Sequence, residues 1–477
     1  MAERRVAVCD LGSNSFRLVV FTAGEGWWKR TDEIYEPVRI GAGIAETGKL
    51  GRAGIDRGLM TVEVFEHFCR ATGVDEVEAV ATSAIRDAKN AKDFLKRAAL
   101  PVRVLSREQE AEYGFLAAVN STTLADGVVL DLGGGSMQLI RVRSRHATEL
   151  ESWPLGAVRM SERFGLGEGT ASKKQLKALR EHVAKELESA PWLARSGDRI
   201  VGIGGTVRNL AAAIQRLEDV PEFGVQGFVI PRDELDDLIG RLAGMTPAER
   251  GKVPGIKPSR GDLILAGAAV IQAVLEVGGF DAIEVTEAGL REGVFFSRHL
   301  DGDPPLFDDV RRASVVNLAH QYHVDPAHTE HVARLALGLF DELARAGLHP
   351  GDARERELLW AAAMLHDIGV TVDYDDHHKH SRYLVLNSGL PGWTQREVAL
   401  IGQAVRYHRK GMPELKPFGA LARKGDDDVL TRCALLLRLG EDLERSRDQL
   451  VREAHVTVGD GRVRLDLVAD GDDRVAR

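Results

Sequence analysis

Cysteine is scarce in this chain of 477 residues, which has only Cys9, Cys69 and Cys433. The three lie far apart and form no Cys-x-x-Cys pair, so we expect neither a disulfide framework nor a zinc cluster. Apolar runs of about 20 residues, long enough to span a bilayer, are also missing. The first residues, Met-Ala-Glu-Arg-Arg, do not have the pattern of a signal peptide. These absences predict a cytoplasmic protein that is not embedded in a membrane.

A surplus of basic residues is missing as well. The chain has 63 Lys and Arg against 72 Asp and Glu, which gives a formal net charge of -9. General nucleic-acid binders and membrane-surface binders need a basic face, so this balance argues against both. An anionic substrate stays compatible, because a local basic patch and a bound cation can outweigh a modest negative charge. The length predicts two to four domains, and the 44% hydrophobic content is typical of a globular protein.

The chain does contain an internal repeat. The strand-like segment 5–9 leads into the turn 10–15 and then into the strand-like segment 17–21. Residues 127–142 follow the same order, with an apolar run, an Asp-Leu-Gly-Gly-Gly-Ser turn and a second apolar run. A strand–turn–strand unit that occurs twice indicates a duplicated supersecondary element.

Helical and strand patterns alternate around the repeats. Amphipathic periodicity predicts a strand at 77–81 and helices at 54–70, 107–119, 172–189 and 232–243. Strands mixed with helices in both halves indicate two α/β lobes that face each other.

The pattern changes after the acidic, proline-containing segment 301–307, which we interpret as a linker. The remaining sequence is mostly helical and rich in histidine, with helices predicted at 311–321, 327–346, 354–366, 379–388, 395–408 and 428–446. The tail 455–468 alternates around Gly459-Asp460-Gly461, which predicts a small β-hairpin.

Three glycine turns have the composition of phosphate-binding loops. Without a Cβ, glycine lets several backbone N–H groups point into one space, where they bind phosphate oxygens. Two of the turns follow Asp10 and Asp131, whose carboxylates could hold hydrated Mg²⁺ (or Mn²⁺) against a phosphate. The third, 202–206, precedes a predicted helix at 207–217, whose amino terminus adds N–H donors. Each turn alone could be an ordinary connection between strands, and their recurrence favours phosphate binding.

Several motifs together resemble the exopolyphosphatase / guanosine pentaphosphate phosphohydrolase (Ppx/GppA) family, which belongs to the superfamily of actin, sugar kinases and heat-shock ATPases. The motifs are Asp10-Leu-Gly-Ser-Asn-Ser-Phe-Arg17, Thr82-Ser-Ala-Ile-Arg86, Asp131-Leu-Gly-Gly-Gly-Ser136, Gly202-Ile-Gly-Gly-Thr206 and Glu287-Ala-Gly-Leu-Arg-Glu-Gly293. The resemblance covers essentially the whole chain.

The resemblance implies a fold in the α/β class. We expect two actin-like (ribonuclease H-like) ATPase lobes followed by an all-α HD-type domain and a small β segment. The boundaries predicted are 1–122 for lobe I, 123–300 for lobe II, 308–450 for the HD-type domain and 451–477 for the β tail. The family also implies a homodimer.

The catalytic residue that the resemblance implies is Glu110. It stands directly before Ala111, where the family has a Glu-Glu-Ala-type motif, and Gln109 replaces the first glutamate of that pair. Hydrolysis of a phosphoanhydride needs a group that accepts a proton from the attacking water, and a carboxylate suits this role. The alternative for an isolated Glu early in a helix is stabilisation of the helix dipole.

The remaining candidates of the amino-terminal half would bind phosphate. Arg17 and Arg86 could pair bidentately with phosphate oxygens, although Arg17 could equally be a surface residue. The turns add amide, hydroxyl and backbone donors, for which ordinary turn capping is the alternative. They are Gly12, Ser13, Asn14, Ser15, Gly133, Gly134, Gly135, Ser136, Gly204, Gly205 and Thr206. Lys252, Lys257 and Arg260 could line a basic path away from the site, or form a solvated face.

The histidine-rich half resembles an HD-type metal phosphohydrolase domain. An adjacent pair, His366-Asp367, could supply ligands to one divalent metal, or to two bridged by the aspartate. The further ligands predicted are His328, His380 and His408, with Glu441 at the position where the pattern expects an aspartate. His377 and His378 lie in an acidic loop and are weaker candidates. The histidines could also be packed or surface residues, and the domain a scaffold.

The leading functional hypothesis is an exopolyphosphatase that removes the terminal phosphate of inorganic polyphosphate, with guanosine pentaphosphate as a second substrate. Three alternatives stay open. One is a nucleotide phosphohydrolase whose main chemistry lies in the HD-type domain. Another is a kinase of the same superfamily, and the third is a sensor that binds guanosine tetra- or pentaphosphate without hydrolysing it.

Overall fold

The computed structural model describes residues 3–470. The chain divides into two compact units, one comprising Met1–Asp219 and Val225–Val310, the other Val220–Gly224 and Arg311–Arg477. Within the described residues, no helix combines the length and apolarity needed to cross a bilayer.

The first lobe of the larger unit is built on a five-stranded sheet. Its strands are β1 (Arg4–Leu11), β2 (Phe16–Gly24), β3 (Trp27–Glu36), β4 (Glu76–Ala81) and β5 (Val102–Val104). The order across the sheet is β3-β2-β1-β4-β5. Strands β4 and β5 run parallel to β1, β2 pairs antiparallel with β1, and β3 pairs antiparallel with β2. The helices are α1 (Ile44–Thr47), α2 (Arg52–Ala71), α3 (Ser83–Asp87), α4 (Ala91–Arg97) and α5 (Arg107–Val119).

The second lobe repeats this topology. Its strands are β6 (Gly127–Leu132), β7 (Met137–Arg143), β8 (His146–Trp153), β9 (Ile200–Ile203), β10 (Val229–Pro231) and β11 (Ala282–Val285), in the order β10-β11-β9-β6-β7-β8. The meander β6–β8 therefore corresponds to β1–β3, and β9 lies parallel to β6 as β4 lies parallel to β1. This correspondence confirms the repeat that the sequence predicts.

The helices of the second lobe surround an extensive apolar core. They are α6 (Ala157–Phe164), α7 (Lys173–Glu186), α8 (Gly205–Leu217), α9 (Arg232–Ala243), α10 (Pro247–Arg250), α11 (Ile264–Gly278) and α12 (Leu290–His299). Helix α11 is buried along nearly its whole length, as its Ala-, Val- and Ile-rich sequence dictates.

The smaller unit is helical and has its own apolar core. Its helices are α13 (Val310–Gln321), α14 (Pro326–Arg345), α15 (Ala353–Leu365), α16 (His377–Asn387), α17 (Gln395–Arg406) and α18 (Asp426–Leu443). The hairpin β12 (Val451–Gly459) and β13 (Arg462–Ala469) follows them, as predicted. Residues 471–477 of the predicted β tail, like residues 1–2 of lobe I, lie outside the described residues.

The fold class is thus the one expected: mixed α/β with two actin-like sheets, then a helical region and a small β-hairpin.

Helix α5 begins at Arg107 because Ser106 caps it. The Ser106 hydroxyl accepts from the Gln109 N–H, and the Gln109 side chain accepts from the Ser106 N–H, which together form a capping box.

Candidate active site

A cleft lies where the glycine turns of the two lobes face each other. The turn between β1 and β2 contributes one wall, and the turn between β6 and β7 contributes the opposite one. Both turns close with the same hydrogen bond: the Gly12 N–H donates to the Ser15 carbonyl at 3.2 Å, and the Gly133 N–H to the Ser136 carbonyl at 3.0 Å. The duplicated sequence therefore forms two matching loops.

The third turn connects β9 to α8 at the base of the cleft. Gly204 adopts φ 109°, a left-handed conformation that favours glycine, and helix α8 begins at the next residue. Gly204 and Gly205 line the cleft, so this helix directs its first N–H groups toward it.

Asp10 and Asp131 lie at the ends of β1 and β6 and both line the cleft. Burial raises the pKa of Asp10, and the guanidinium groups of Arg291 and Arg17 oppose this effect. Burial, followed by repulsion from Glu110 and Asp10, raises the pKa of Asp131 to about 7. The cleft thus concentrates buried acidic groups whose charges repel one another.

Glu110 occupies the wall of the cleft and is only 7% exposed. One carboxylate oxygen accepts from Nη1 of Arg86 at 2.7 Å, and the other accepts from the Ser136 hydroxyl at 3.4 Å. The Gln138 amide donates in turn to Ser136 Oγ at 3.0 Å. Burial raises the pKa of Glu110, and Arg86 holds it down. These contacts hold a carboxylate in one orientation at the cleft surface.

Four arginines face the acidic groups: Arg17, Arg208, Arg260 and Arg291. Burial, followed by repulsion from Arg291 and Arg17, lowers the pKa of Arg208 to about 10. Nε of Arg291, a residue 4% exposed, has no hydrogen-bond partner among the described residues. Crowded guanidinium groups with unused donors are suited to binding a polyanion.

Most of the predicted phosphate-binding residues line this cleft. They are Gly12, Ser13, Asn14, Ser15, Arg17, Gly133, Gly134, Ser136, Gly204 and Gly205. Arg260 of the predicted basic path also lines it, whereas the Lys257 ammonium lies 5.6 Å from the centre of the Tyr35 ring.

Three predicted phosphate ligands, Arg86, Gly135 and Thr206, are not among the residues that line the cleft, and they make other contacts. Arg86 is bound to Glu110 and to the Leu105 carbonyl, so it orients the carboxylate. Gly135 lies against Ser83 and Ser13, and a Cβ there would come within 2.5 Å of Ser83 Oγ. Thr206 is 1% exposed and packs against Gly267 of α11.

The sequence did not predict three residues that line the cleft, Ser83, Arg208 and Arg291. It also did not predict Gln138, which donates a hydrogen bond to Ser136. Two of these carried a signal, because Ser83 and Arg291 stand inside motifs 82–86 and 287–293. Arg208 lies one helical turn after Gly204, whose carbonyl accepts from its N–H at 3.3 Å. That spacing could have placed it beside the third turn.

In the helical unit, several predicted ligands converge. Two groups of side chains could each hold a metal ion, His328, His366 and Asp367 in one and Asp367, His377 and His408 in the other. Glu441 Oε2 lies 3.1 Å from Nε2 of both His328 and His366.

The structure places His380 and His377 differently from the sequence expectation. His380 belongs to neither group, and its Cβ lies against the turn at Gly369. His377 belongs to the second group, and its Nε2 lies 3.4 Å from Asp367 Oδ1. Helix α16 begins at His377, and this start turns the first histidine of the predicted acidic loop inward.

Comparison with known proteins decides the family. The sequence profile described as the Ppx/GppA phosphatase family matches residues 19–301, more than half of the chain. The chain belongs to the Ppx/GppA phosphatase family. A second profile, Ppx/GppA phosphatase domain III, matches residues 310–472. The chain is accordingly a hydrolase that acts on phosphoanhydrides.

Solved structures of similar proteins agree with this assignment. A Ppx/GppA family member from Aquifex aeolicus is 30% identical with a TM-score of 0.53, and the match covers 62% of this chain and 97% of that one. A second structure of the Aquifex aeolicus Ppx-GppA enzyme is 31% identical, covering 62% and 99%, with a TM-score of 0.53. An exopolyphosphatase from Cytophaga hutchinsonii, 22% identical with a TM-score of 0.58 and covering 62% and 97%, shares the fold.

Ppx/GppA enzymes depend in general on a divalent metal. The cleft of this Ppx/GppA chain fits such a cation, because Asp10 and Asp131 both line it and supply the hard oxygen ligands that Mg²⁺ and Mn²⁺ prefer. When bound, a cation would offset the repulsion that Asp131 receives from Glu110 and Asp10.

Proposed function

We propose that this Ppx/GppA phosphatase removes the terminal phosphate of inorganic polyphosphate by direct attack of water. The observation that carries the proposal is the position of Glu110, buried at the cleft wall and held by Arg86 and by Ser136 of the second glycine turn. A carboxylate held in this way can accept a proton from a water molecule that attacks the end of a bound phosphate chain.

Glu110 acts on a water and not on a side-chain nucleophile in this proposal. The Ser136 hydroxyl is its polar neighbour in the cleft, and that hydroxyl already accepts from Gln138 while it donates to Glu110. Its proton and one lone pair are therefore engaged in orienting the carboxylate. Arg86, on the other oxygen, favours the carboxylate form of Glu110, which can take up a proton, and so opposes the effect of burial on its pKa.

The arginines of the cleft support a substrate that carries several negative charges. Arg17, Arg208, Arg260 and Arg291 bring four guanidinium groups to one cleft, more than a single phosphate group can use. The backbone N–H groups of the three glycine turns add donors for the terminal phosphate. A substrate with several linked phosphates engages both sets together.

We expect Asp10 and Asp131 to hold Mg²⁺ or Mn²⁺ at the phosphate. When bound, the cation would neutralise phosphate charge and polarise the bridging oxygen. The two carboxylates themselves position that charge, because each closes a strand directly before its glycine turn.

The test is phosphate release from polyphosphate and from guanosine pentaphosphate in parallel, each with Mg²⁺ and with Mn²⁺. We expect release from polyphosphate, and conversion of the pentaphosphate to the tetraphosphate as a second activity. Release from the guanosine nucleotide alone would contradict the polyphosphate assignment. Tight nucleotide binding with no release under either metal would favour the sensor, and phosphoryl transfer to an acceptor would favour the kinase.

Three further expectations belong to the same proposal. We expect the enzyme to work in the cytoplasm, without nucleic-acid partners, and to form a homodimer. Light scattering of the purified chain measures the mass in solution, and a monomeric mass across micromolar concentrations would contradict the dimer.

A further inference from the structure

The hairpin of β12 and β13 has one edge that the helical unit engages and one that stays open. On β12, the Val456 N–H donates to a carboxylate oxygen of Glu342 in α14 at 3.2 Å. The Val451 carbonyl of the same strand accepts from Nε2 of His331 at 2.8 Å. Within residues 3–470, no strand pairs with the outer edge of β13. An unpaired edge strand is a template for the addition of another strand.

The direction of the Val456 N–H also determines which backbone groups of β13 point outward. Val456 lies opposite Leu465, and its N–H points away from β13 to Glu342. The two residues therefore form a pair without mutual hydrogen bonds, in which the N–H and C=O of each point away from the other. Those of Leu465 consequently face the open edge. Because this direction alternates along a strand, the backbone groups of Val463 and Leu467 face the open edge too.

The side chains of β13 divide between two faces of different chemistry. Val463, Leu465 and Leu467 share one face, and Leu465 packs against the apolar core of the helical unit. Val463 is 54% exposed and Leu467 is 39% exposed, so this apolar face continues into solvent. The opposite face carries Arg464 and Asp466, which bond each other at 2.8 Å.

The strand is complementary to a second copy of itself in one antiparallel register. With Leu465 opposite Leu465 of the second copy, Val463 lies opposite Leu467 and Arg464 lies opposite Asp466. The residues that exchange hydrogen bonds are then the same three whose backbone groups point outward. A register centred on Arg464 or on Asp466 places like charges opposite each other, which is unfavourable. A register centred between two residues places apolar side chains opposite charged ones.

We propose that two copies of this chain join their β13 strands about a twofold axis at Leu465, which makes one four-stranded antiparallel sheet from the two hairpins. Each facing pair of Val463, Leu465 and Leu467 exchanges two N–H···O bonds across the axis. The charged side chains beside the axis alternate in sign, so each Arg464 lies between two aspartates. A two-stranded hairpin is marginally stable by itself in water, and the added strands stabilise it.

This interface goes beyond the homodimer that the family resemblance implies, because it assigns the surface, the register and the symmetry. It involves residues of the hairpin and none that line the cleft. The pairing of the two copies is therefore independent of the proposed hydrolysis.

The first test is a charge exchange, followed by analytical ultracentrifugation of the full chain over a range of concentrations. Arg464 is 77% exposed, so its substitution should leave the fold intact. We expect Arg464→Glu to raise the dissociation constant of the dimer by roughly tenfold or more, because two like-charged pairs then lie opposite each other. Adding Asp466→Arg to the same chain restores opposite charges, and the double variant should dimerise as the unchanged chain does.

Arg462→Glu is the matched control for the charge exchange. Arg462 is exposed on the same face of β13, and in this register it lies opposite Val468, which carries no charge. We expect its dissociation constant to equal that of the unchanged chain.

The second test probes the register with an engineered disulfide. The twofold axis puts residue 465 of each copy about 5.5 Å from its counterpart between Cα atoms, a distance that a disulfide spans. We expect Leu465→Cys to form a covalent dimer with oxidised glutathione. The control is Val458→Cys, because Val458 is exposed on the same face but lies on β12, an outer strand of the proposed sheet. Cys9, Cys69 and Cys433 are buried and should not react.

A monomeric unchanged chain would overturn the proposal, and so would a dimer that folded Arg464→Glu forms with the same dissociation constant. Failure of the double variant to recover dimerisation, or equal cross-linking of Leu465→Cys and Val458→Cys, would also overturn it. Circular dichroism reports whether each variant is folded. Polyphosphate turnover should be the same in all variants, so failure of this interface and failure of the cleft proposal are distinguishable.

Discussion

At the scale of single residues, the proposed activity depends on the ionisation of Glu110. Burial favours the neutral acid and raises its pKa, while Arg86 at 2.7 Å favours the carboxylate. The motif match predicted Glu110, but nothing in the local sequence tied it to Arg86, which lies 24 positions earlier. That partnership exists because the ends of α3 and α5 are close in space, a consequence of the β4–β5 pairing.

Removing the charge of Arg86 should move the acid limb of the pH–rate profile. The active form of Glu110 is the carboxylate, so kcat falls as pH drops through its raised pKa. Arg86→Gln removes the group that holds this pKa down, and we expect the acid limb to shift to higher pH. The measurement is kcat for polyphosphate hydrolysis across pH.

Arg107→Gln is the matched control, since Arg107 is an exposed arginine at the start of the same helix. We expect its profile to match that of the unchanged enzyme. An acid limb that stays in place in Arg86→Gln would show that Glu110 does not set the profile.

At the scale of elements, the position of α5 depends on its packing against α12. Gly293 of α12 approaches the backbone of Tyr113 so closely that a Cβ would come within 1.9 Å of the Tyr113 carbonyl oxygen. The motif ending at Gly293 therefore has a steric reason for its glycine. Tyr113 lies one helical turn after Glu110, so this contact also positions the proposed base.

Gly293→Ala should destabilise the protein and slow the reaction together. The new methyl group must push α12 from α5, and overpacking of this kind costs roughly 1–3 kcal/mol. Gly240→Ala is the matched control, because Gly240 is also inside a helix, α9, and a Cβ there meets nothing within 4 Å. It should be neutral or stabilise by up to about 1 kcal/mol. Thermal melts and kcat measure both effects, and equal melting temperatures in the two variants would contradict the packing argument.

Elements were the level at which sequence was most informative, because their signals are local. Helix α14 was predicted at 327–346 and occurs at Pro326–Arg345, and the helix predicted at 354–366 occurs at Ala353–Leu365. Side-chain direction was harder to predict. His377 and His380 lie on one helix, and only the start of α16 after Asp376, which has φ 57°, turns His377 inward. Arg208 was missed because its role requires the cleft to be assembled.

At the scale of the whole molecule, the chain forms two compact units with separate apolar cores, and the cleft lies in the larger one. We expect two calorimetric transitions. Polyphosphate should raise the melting temperature only of the unit that binds it. At a hundredfold excess over Kd, it should add about 2.7 kcal/mol to the free energy of unfolding of that unit. Glu110→Gln is used for this measurement so that the ligand persists. A single transition, or an equal shift of both, would contradict this assignment.

The most direct test of the central claim is phosphate release from polyphosphate by Glu110→Gln beside Glu112→Gln. Glu112 is exposed on the same helix two residues further on, so its variant controls for the loss of a carboxylate there. We predict that Glu110→Gln lowers kcat by about 10²–10⁴, the usual contribution of a general base, with the fold intact by circular dichroism. Glu112→Gln should stay close to the unchanged rate. Comparable rates in folded Glu110→Gln and Glu112→Gln would contradict the assignment of Glu110 as the base.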